Sequence, residues 1–200
     1  MNKEQRIVFA EATANKTKDV CKEGFLKEKN TEYVNATNEF KLSLKKSNDL
    51  ASEISENSKN LKEMNETIDN LLGNVSNSLK LQVKTDSLIY NEFFSVNLTE
   101  MKRLPDREKK SKVDTIITKL DEVSGITIAK GYKNDLDVAN ENYKKLIDKS
   151  EELETAKVKA SEKLAEKEDD FNKVEKKFKK LMQSVLTKKE FDKIFKVKQN

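Results

Sequence analysis

The chain has 200 residues, of which 38% are charged and only 35% are hydrophobic, and its net charge is +4. An apolar fraction this small does not fill the core of a rounded domain. The chain has only four glycines and one proline, the residues that break helices, which favours long helices that bury a narrow apolar stripe. Intrinsically disordered chains have a similar composition, so the spacing of the apolar residues must distinguish long helices from disorder.

Residues 1–30 are predicted to form an N-terminal helix that breaks at Gly24 or Asn30. The apolar run from residue 7 to residue 10 is far too short for a signal peptide, and no run reaches the length of a membrane span. We therefore expect a protein located in the cytoplasm or assembled into a particle. The residues at helical spacing are Ile7, Ala10, Ala14, Thr17 and the single cysteine, Cys21.

Residues 31–84 are predicted to form a long helix with an apolar seam at every third or fourth position. Between residues 40 and 79, nine of the twelve seam positions are apolar, and Ser47, Ser58 and Asn65 interrupt them. This regularity indicates a coiled coil and argues against disorder. The nine apolar seam residues are Phe40, Leu44, Ala51, Ile54, Leu61, Ile68, Leu72, Val75 and Leu79.

Residues 85–131 are predicted to hold connecting helices, one ending near Pro105 and one stopped by Gly125. The segment SGITIAKG, residues 124–131, alternates β-branched residues between two glycines and is therefore interpreted as strand-like. The region is expected to form a tip that binds a membrane or a partner. The candidate tip residues are Phe93, Phe94, Ile126 and Ile128.

Residues 132–187 are predicted to form a second long helix with its own seam. Thirteen of its sixteen seam positions are apolar, and Ser150, Lys157 and Lys167 interrupt them. The thirteen apolar seam residues are Tyr132, Leu136, Ala139, Tyr143, Leu146, Leu153, Ala160, Leu164, Phe171, Val174, Phe178, Leu181 and Val185.

The two seams predict an antiparallel hairpin, because their polar interruptions fall at similar distances from the tip. In this register Asn65 lies level with Ser150, and Leu61 lies near Leu153. The predicted fold is therefore all-α: an elongated antiparallel coiled-coil hairpin of two long helices, with shorter helices completing a bundle.

Residues 188–200 are predicted to form a short basic helix or tail. Thr187 and Glu190 have the spacing of a capping box, which would end the long helix and begin this one. Residues 171–200 contain ten lysines and three acidic residues but no arginine, the residue that reads guanine with a bidentate fork. Nucleic acid is therefore not the expected partner, although contact with anionic lipid remains open.

The chain has no histidine, and its glycines are too scattered for a phosphate-binding loop. Without histidine it lacks the commonest general acid–base residue and the usual nucleophile pairs. We expect no enzyme activity, no catalytic residues, no cofactor, no metal site and no small-molecule substrate.

Two functions are compatible with this sequence. The first is a non-catalytic structural or interaction protein, a rod that self-assembles or packs with other subunits. The alternative is a component of a membrane-active pore-forming toxin, since long helices flanking a glycine-bounded apolar segment resemble the cytolysin A type of toxin in helix order and tip position. The toxin hypothesis assigns the bilayer contact to residues 88–98 or 126–129.

Overall fold

The computed structural model describes residues 1–83, 88–94 and 97–196, and within them the chain is all-α, with no strand. Two helices are much longer than the others, α2 and α7, and they pack antiparallel with shorter helices against them, as the sequence predicts. The helices are α1 (Lys3–Thr17), α2 (Gly24–Gln82), α3 (Leu88–Phe93), α4 (Leu98–Met101), α5 (Asp106–Glu122), α6 (Thr127–Lys130), α7 (Lys133–Val185) and α8 (Lys188–Phe195).

The chain divides into two compact units. Unit 1 contains residues 1–52 and 155–200, and unit 2 contains residues 53–154. The core of unit 1 is aromatic: Tyr33 stacks on Phe178 with ring centroids 4.7 Å apart, and Phe40 stacks on Phe171 at 5.4 Å. These two contacts fix the antiparallel direction of α2 and α7 in this unit. The other buried apolar residues of its core are Ile7, Ala10, Ala14, Cys21, Leu164, Met182, Ile194 and Phe195.

Unit 2 buries apolar residues of α3, α5 and α6 against the facing stripes of α2 and α7. The connecting region therefore folds back onto the long helices and supplies about half of the core. The buried residues are Ile68, Leu72, Val75 and Leu79 on α2, Leu136, Ala139, Tyr143 and Ile147 on α7, Val113, Ile116, Ile117 and Leu120 on α5, and Phe93, Phe94, Met101, Ile126 and Ala129 around them.

Reciprocal capping boxes mark the starts of α1 and α8. The predicted capping box at Thr187 is confirmed, because its side chain and that of Glu190 each accept from the backbone N–H of the other residue. Asn2 and Gln5 form the same reciprocal arrangement at the start of α1. The chain therefore turns after α7 at a defined residue, and α8 buries Ile194 and Phe195 in unit 1.

The segment at residues 124–131 is not a strand, contrary to the sequence interpretation. Residues 127–130 form the single-turn helix α6, and Gln82 holds it: its side-chain amide donates to Gly125 O and Thr127 Oγ1, both at 3.3 Å, and accepts from Ala129 N. Gly125 takes a φ of +82°, which a glycine adopts without strain. Local helix and side-chain bonds thus satisfy this backbone.

Most of the predicted seam residues lie inside the helix packing. Buried are Phe40, Ile68, Leu72, Val75, Leu79, Leu136, Tyr143, Leu153, Leu164, Phe171 and Phe178, and half-buried are Leu44, Ile54, Leu61, Leu146, Val174 and Leu181. Val185 differs: it is 45% exposed because α7 ends there, and Met182 is buried instead. Ser58 and Lys157 are exposed as well, whereas Asn57 is buried. The coiled-coil geometry itself stays a prediction.

The register of the hairpin differs from the predicted one by about a heptad. Asn57, not Asn65, contacts Ser150, with its Nδ2 donating to Ser150 Oγ at 2.7 Å and to Leu146 O at 3.1 Å. Asn65 lies instead within 3.4 Å of the Tyr143 hydroxyl and accepts from Lys109. Matching the polar interruptions of two helices failed because a third helix, α5, supplies the partner of Asn65.

This register predicts which cysteine pairs crosslink. In a chain carrying Cys21→Ala, we expect Asn57→Cys/Ser150→Cys to oxidise to an intrachain disulfide much faster than Leu61→Cys/Leu153→Cys. The second pair is offset by about 10 Å along the helices, beyond the reach of a disulfide. Non-reducing gel mobility over a time course measures both rates. Equal rates, or the reverse order, would contradict the register.

Candidate protein-binding groove

In unit 1, α1 covers one side of the α2–α7 pair. Its Arg6 donates to Glu168 Oε1 at 3.0 Å and lies 5.4 Å from the centre of the Phe171 ring, and it also contacts Asn172. On the α2 side, Lys41 pairs with Glu11 at 2.6 Å. Charged contacts on both flanks of α1, with Ile7 and Ala10 buried between them, hold this helix over one side of the pair.

The opposite side of the same helix pair is an open groove. Two adjoining depressions of about 770 and 500 Å³ run along it, and Glu39 and Lys167 line both. Leu42 lies on the α2 side of the groove, near the end formed by Lys46, and it is 67% exposed. The groove is lined on α2 by Gly24, Lys27, Glu28, Thr31, Glu32, Asn35, Ala36, Glu39, Leu42, Ser43 and Lys46, and on α7 by Lys159, Ala160, Lys163, Lys167, Asp170 and Val174.

The charges of the groove are separated along its length. One end, which we call the acidic end, carries Glu28, Glu32 and Asp170 with one lysine, Lys27. The other, the basic end, carries three lysines: Lys46, Lys159 and Lys163.

Between the two ends, Lys167 Nζ lies 2.9 Å from Glu39 Oε2. The hydrogen bond and the charge of Lys167 lower the pKa of Glu39, and the same contact raises the pKa of Lys167, so both groups stay ionised at neutral pH.

The candidate tip residues do not form one surface. Phe93, Phe94 and Ile126 are buried in the core of unit 2, and of the four only Ile128 is exposed. Two other apolar residues of unit 2, Leu81 and Leu88, are more than three-quarters exposed. Sequence reasoning took hydrophobicity in the connecting region as a sign of a binding tip, whereas most of it completes the core.

Unit 2 also contains a buried polar cluster that the sequence analysis did not identify. Lys109 on α5 is fully buried, and its Nζ lies 2.5 Å from Asp69 Oδ1 and 2.5 Å from Asn65 Oδ1. The Tyr143 hydroxyl on α7 donates to Asp106 Oδ1 at 2.6 Å. Three helices therefore meet at paired charges and hydrogen bonds rather than at apolar side chains alone.

Tyr143 gives this cluster a dependence on alkaline pH. Burial raises the pKa of its phenol, and the hydrogen bond to Asp106 raises it further. A raised folded-state pKa adds stability that is complete below the unfolded value of about 10 and is lost as the pH rises beyond it. We expect the free energy of unfolding to fall less steeply above pH 10 in Tyr143→Phe, by up to about 1.4 kcal/mol per pH unit. Urea titrations from pH 8 to 12 measure both slopes, and equal slopes would contradict the assignment.

The spacing of residues in the sequence indicates both features that the sequence analysis missed, the buried Lys109 and the charged face of α2. Lys109 lies four residues before Val113, in the stripe that continues through Ile116 and Leu120, so the spacing places it on the buried face of α5. It was overlooked because lysine is almost never fully buried unless it is paired. Glu32, Glu39 and Lys46 recur every seven residues, which places them on one face of α2.

Within the described ranges, no cluster of three or more acidic or cysteine side chains is arranged to hold a metal ion, and no helix combines the length and hydropathy of a membrane span. Comparison with protein-family models gives no match, and comparisons with curated proteins and with solved structures give no significant similarity.

Proposed function

We propose that this chain is a non-catalytic structural or interaction protein that binds protein through the open groove, either a second copy of itself or another subunit of an assembly. The observation that carries the proposal is the uneven covering of the α2–α7 pair in unit 1. α1 shields one side, while the other side leaves Leu42 exposed among lysines. The groove combines Leu42 with Ala36, Ala160 and Val174 inside a charged rim, and an apolar strip with a polar rim is characteristic of protein-binding surfaces.

The packing of unit 2 supports the same proposal. Membrane insertion of the connecting region would have to remove Phe93, Phe94 and Ile126 from a core in which each is less than 7% exposed. A scaffold retains these residues where they are. The groove of unit 1 then remains open for an intermolecular contact.

Photocrosslinking tests the proposal in the cells that make the protein. A benzophenone amino acid replaces Leu42 in one variant and Val158 in a control. Both are exposed aliphatic residues of unit 1, and Val158 does not line the groove. We expect protein adducts of defined mass from position 42 and few from position 158. Absence of adducts at position 42 would overturn the proposal.

The second candidate function is a membrane-active protein, and the exposure of Leu81, Leu88 and Ile128 in unit 2 favours it. Dye release from anionic liposomes tests this candidate. Leakage that disappears in Leu81→Ser/Leu88→Ser would support it. Intact liposomes at all protein concentrations would eliminate lysis by the isolated chain.

A further inference from the structure

The charges of the open groove change sign about the Glu39–Lys167 pair. On α2, Glu32 lies seven residues before Glu39 and Lys46 lies seven residues after it. Seven residues are about two helical turns, or roughly 10.5 Å, so all three side chains lie on nearly one face. An acid and a base therefore stand at equal distances on opposite sides of the Glu39–Lys167 pair.

The wall that α7 contributes has the same arrangement. Lys163 lies four residues before Lys167, and Asp170 lies three residues after it. Since α7 runs antiparallel to α2, Lys163 lines the basic end together with Lys46, and Asp170 lines the acidic end together with Glu32. The charges on α2 and on α7 therefore both change from acidic to basic at the level of Glu39 and Lys167.

We infer that the occupant of the groove is a second copy of this chain, related by a two-fold axis that crosses the helices at the level of Glu39. This rotation reverses the direction of the groove. It brings Lys46 of one copy opposite Glu32 of the other, and Lys163 opposite Asp170, twice each. A surface that is complementary to itself in this way is what an isologous dimer requires. The inference rests on the proposed function and names the partner.

The apolar part of the groove fits helix–helix contact. Small side chains, Ala36 and Ser43 on α2 and Ala160 on α7, line its floor and leave room for close approach. Leu42 lies three residues from the level of the axis, so the two copies of this side chain flank the centre of the dimer. Two helices from each copy then form a four-helix arrangement with mixed charges along its rim.

The size of the groove sets the strength of the dimer. The part of the groove that this axis maps onto itself spans residues 32–46 of α2, about 21 Å, and a pair of helices presents a face about 20 Å wide. Two such faces bury on the order of 800 Å², which is in the range of weak, transient interfaces. We therefore expect a dimer that dissociates on dilution and weakens with added salt, because its charges are exposed.

Charge reversal provides the test. The acidic variant carries Lys46→Glu and Lys163→Glu, and the basic variant carries Glu32→Lys and Asp170→Lys. Sedimentation equilibrium over a wide concentration range measures association of each variant alone and of their equimolar mixture. Circular dichroism confirms that both fold. The controls make the same charge changes at exposed positions of unit 2: Lys144→Glu/Lys145→Glu and Glu141→Lys/Glu152→Lys.

We expect the wild type to dimerise, each variant alone to associate at least about tenfold more weakly, and the mixture to regain a heterodimer, since positions 32, 46, 163 and 170 then all face opposite charges. The controls should behave as wild type. A wild-type chain that is monomeric at all concentrations overturns the inference. A dimer that the reversals leave unchanged also overturns it, since another surface then forms the contact. In either case adducts at position 42 with a different protein would leave the proposed function standing.

Discussion

Replacing Lys109 by methionine is expected to lower the free energy of unfolding by about 3 kcal/mol, one of the two largest effects expected from a single substitution in this protein. Methionine retains most of the side-chain volume, so the loss comes from charge and hydrogen bonding rather than from a cavity. Asp69 Oδ1, now 2.5 Å from Lys109 Nζ, would stay buried without a cation. Asn65 Oδ1 would lose a donor in the same step.

The matched control is Lys112→Met, which changes an exposed lysine on the same helix. It should alter stability by less than about 0.5 kcal/mol. Urea denaturation followed by circular dichroism measures both variants. Adding Asp69→Leu to Lys109→Met should restore part of the loss, since removing both charges avoids an uncompensated one. Equal stability of the two lysine variants would show that the buried pair contributes nothing.

The cluster around Lys109 also shows what periodicity can and cannot predict. The seam residues were found because an apolar residue at every third or fourth position is a local property of one helix. The partner of a buried polar residue is not local. Asn65 could be placed in the seam of α2, but the donor that reaches it comes from α5, 44 residues further along the chain.

The hairpin register failed for the same reason. Asn65 and Ser150 look equivalent when the two seams are compared alone, yet Ser150 meets Asn57. The spacing of the apolar residues places Ser58 in the seam of α2, whereas its neighbour Asn57 makes the contact. A shift of the seam by one residue was therefore enough to conceal this pair. The sequence thus predicts the helices and their antiparallel direction, whereas the axial shift depends on contacts with a third helix.

The open groove could be predicted only in part. The recurrence of Glu32, Glu39 and Lys46 at seven-residue spacing is visible in the sequence. Which side of α2 remains uncovered is not visible there, because it depends on where α1 packs. Arg6 helps to place α1 by reaching Glu168 and Phe171 on α7. Once α1 occupies that flank, the opposite flank, with its two charged ends, is left for a partner.

Replacing Phe171 by alanine is expected to destabilise unit 1 by about 3–5 kcal/mol. Its ring is fully buried, with centroids 5.4 Å from Phe40 and 6.1 Å from Tyr33, and Arg6 lies over it. Alanine would leave a cavity where α1, α2 and α7 meet. The control is Phe25→Ala, which removes a ring that is 59% exposed and should cost less than about 1 kcal/mol.

Hydrogen exchange locates the effect as well as measuring it. In Phe171→Ala, amides of residues 1–52 and 155–196 should lose protection first, whereas Lys109→Met should act first on residues 53–154. Uniform loss of protection in both variants would mean that the two units unfold as one. If the effects separate, Phe171→Ala should also weaken dimer formation without changing any charge in the groove, because the α2–α7 pairing in unit 1 that holds the two charged walls in place depends on this ring.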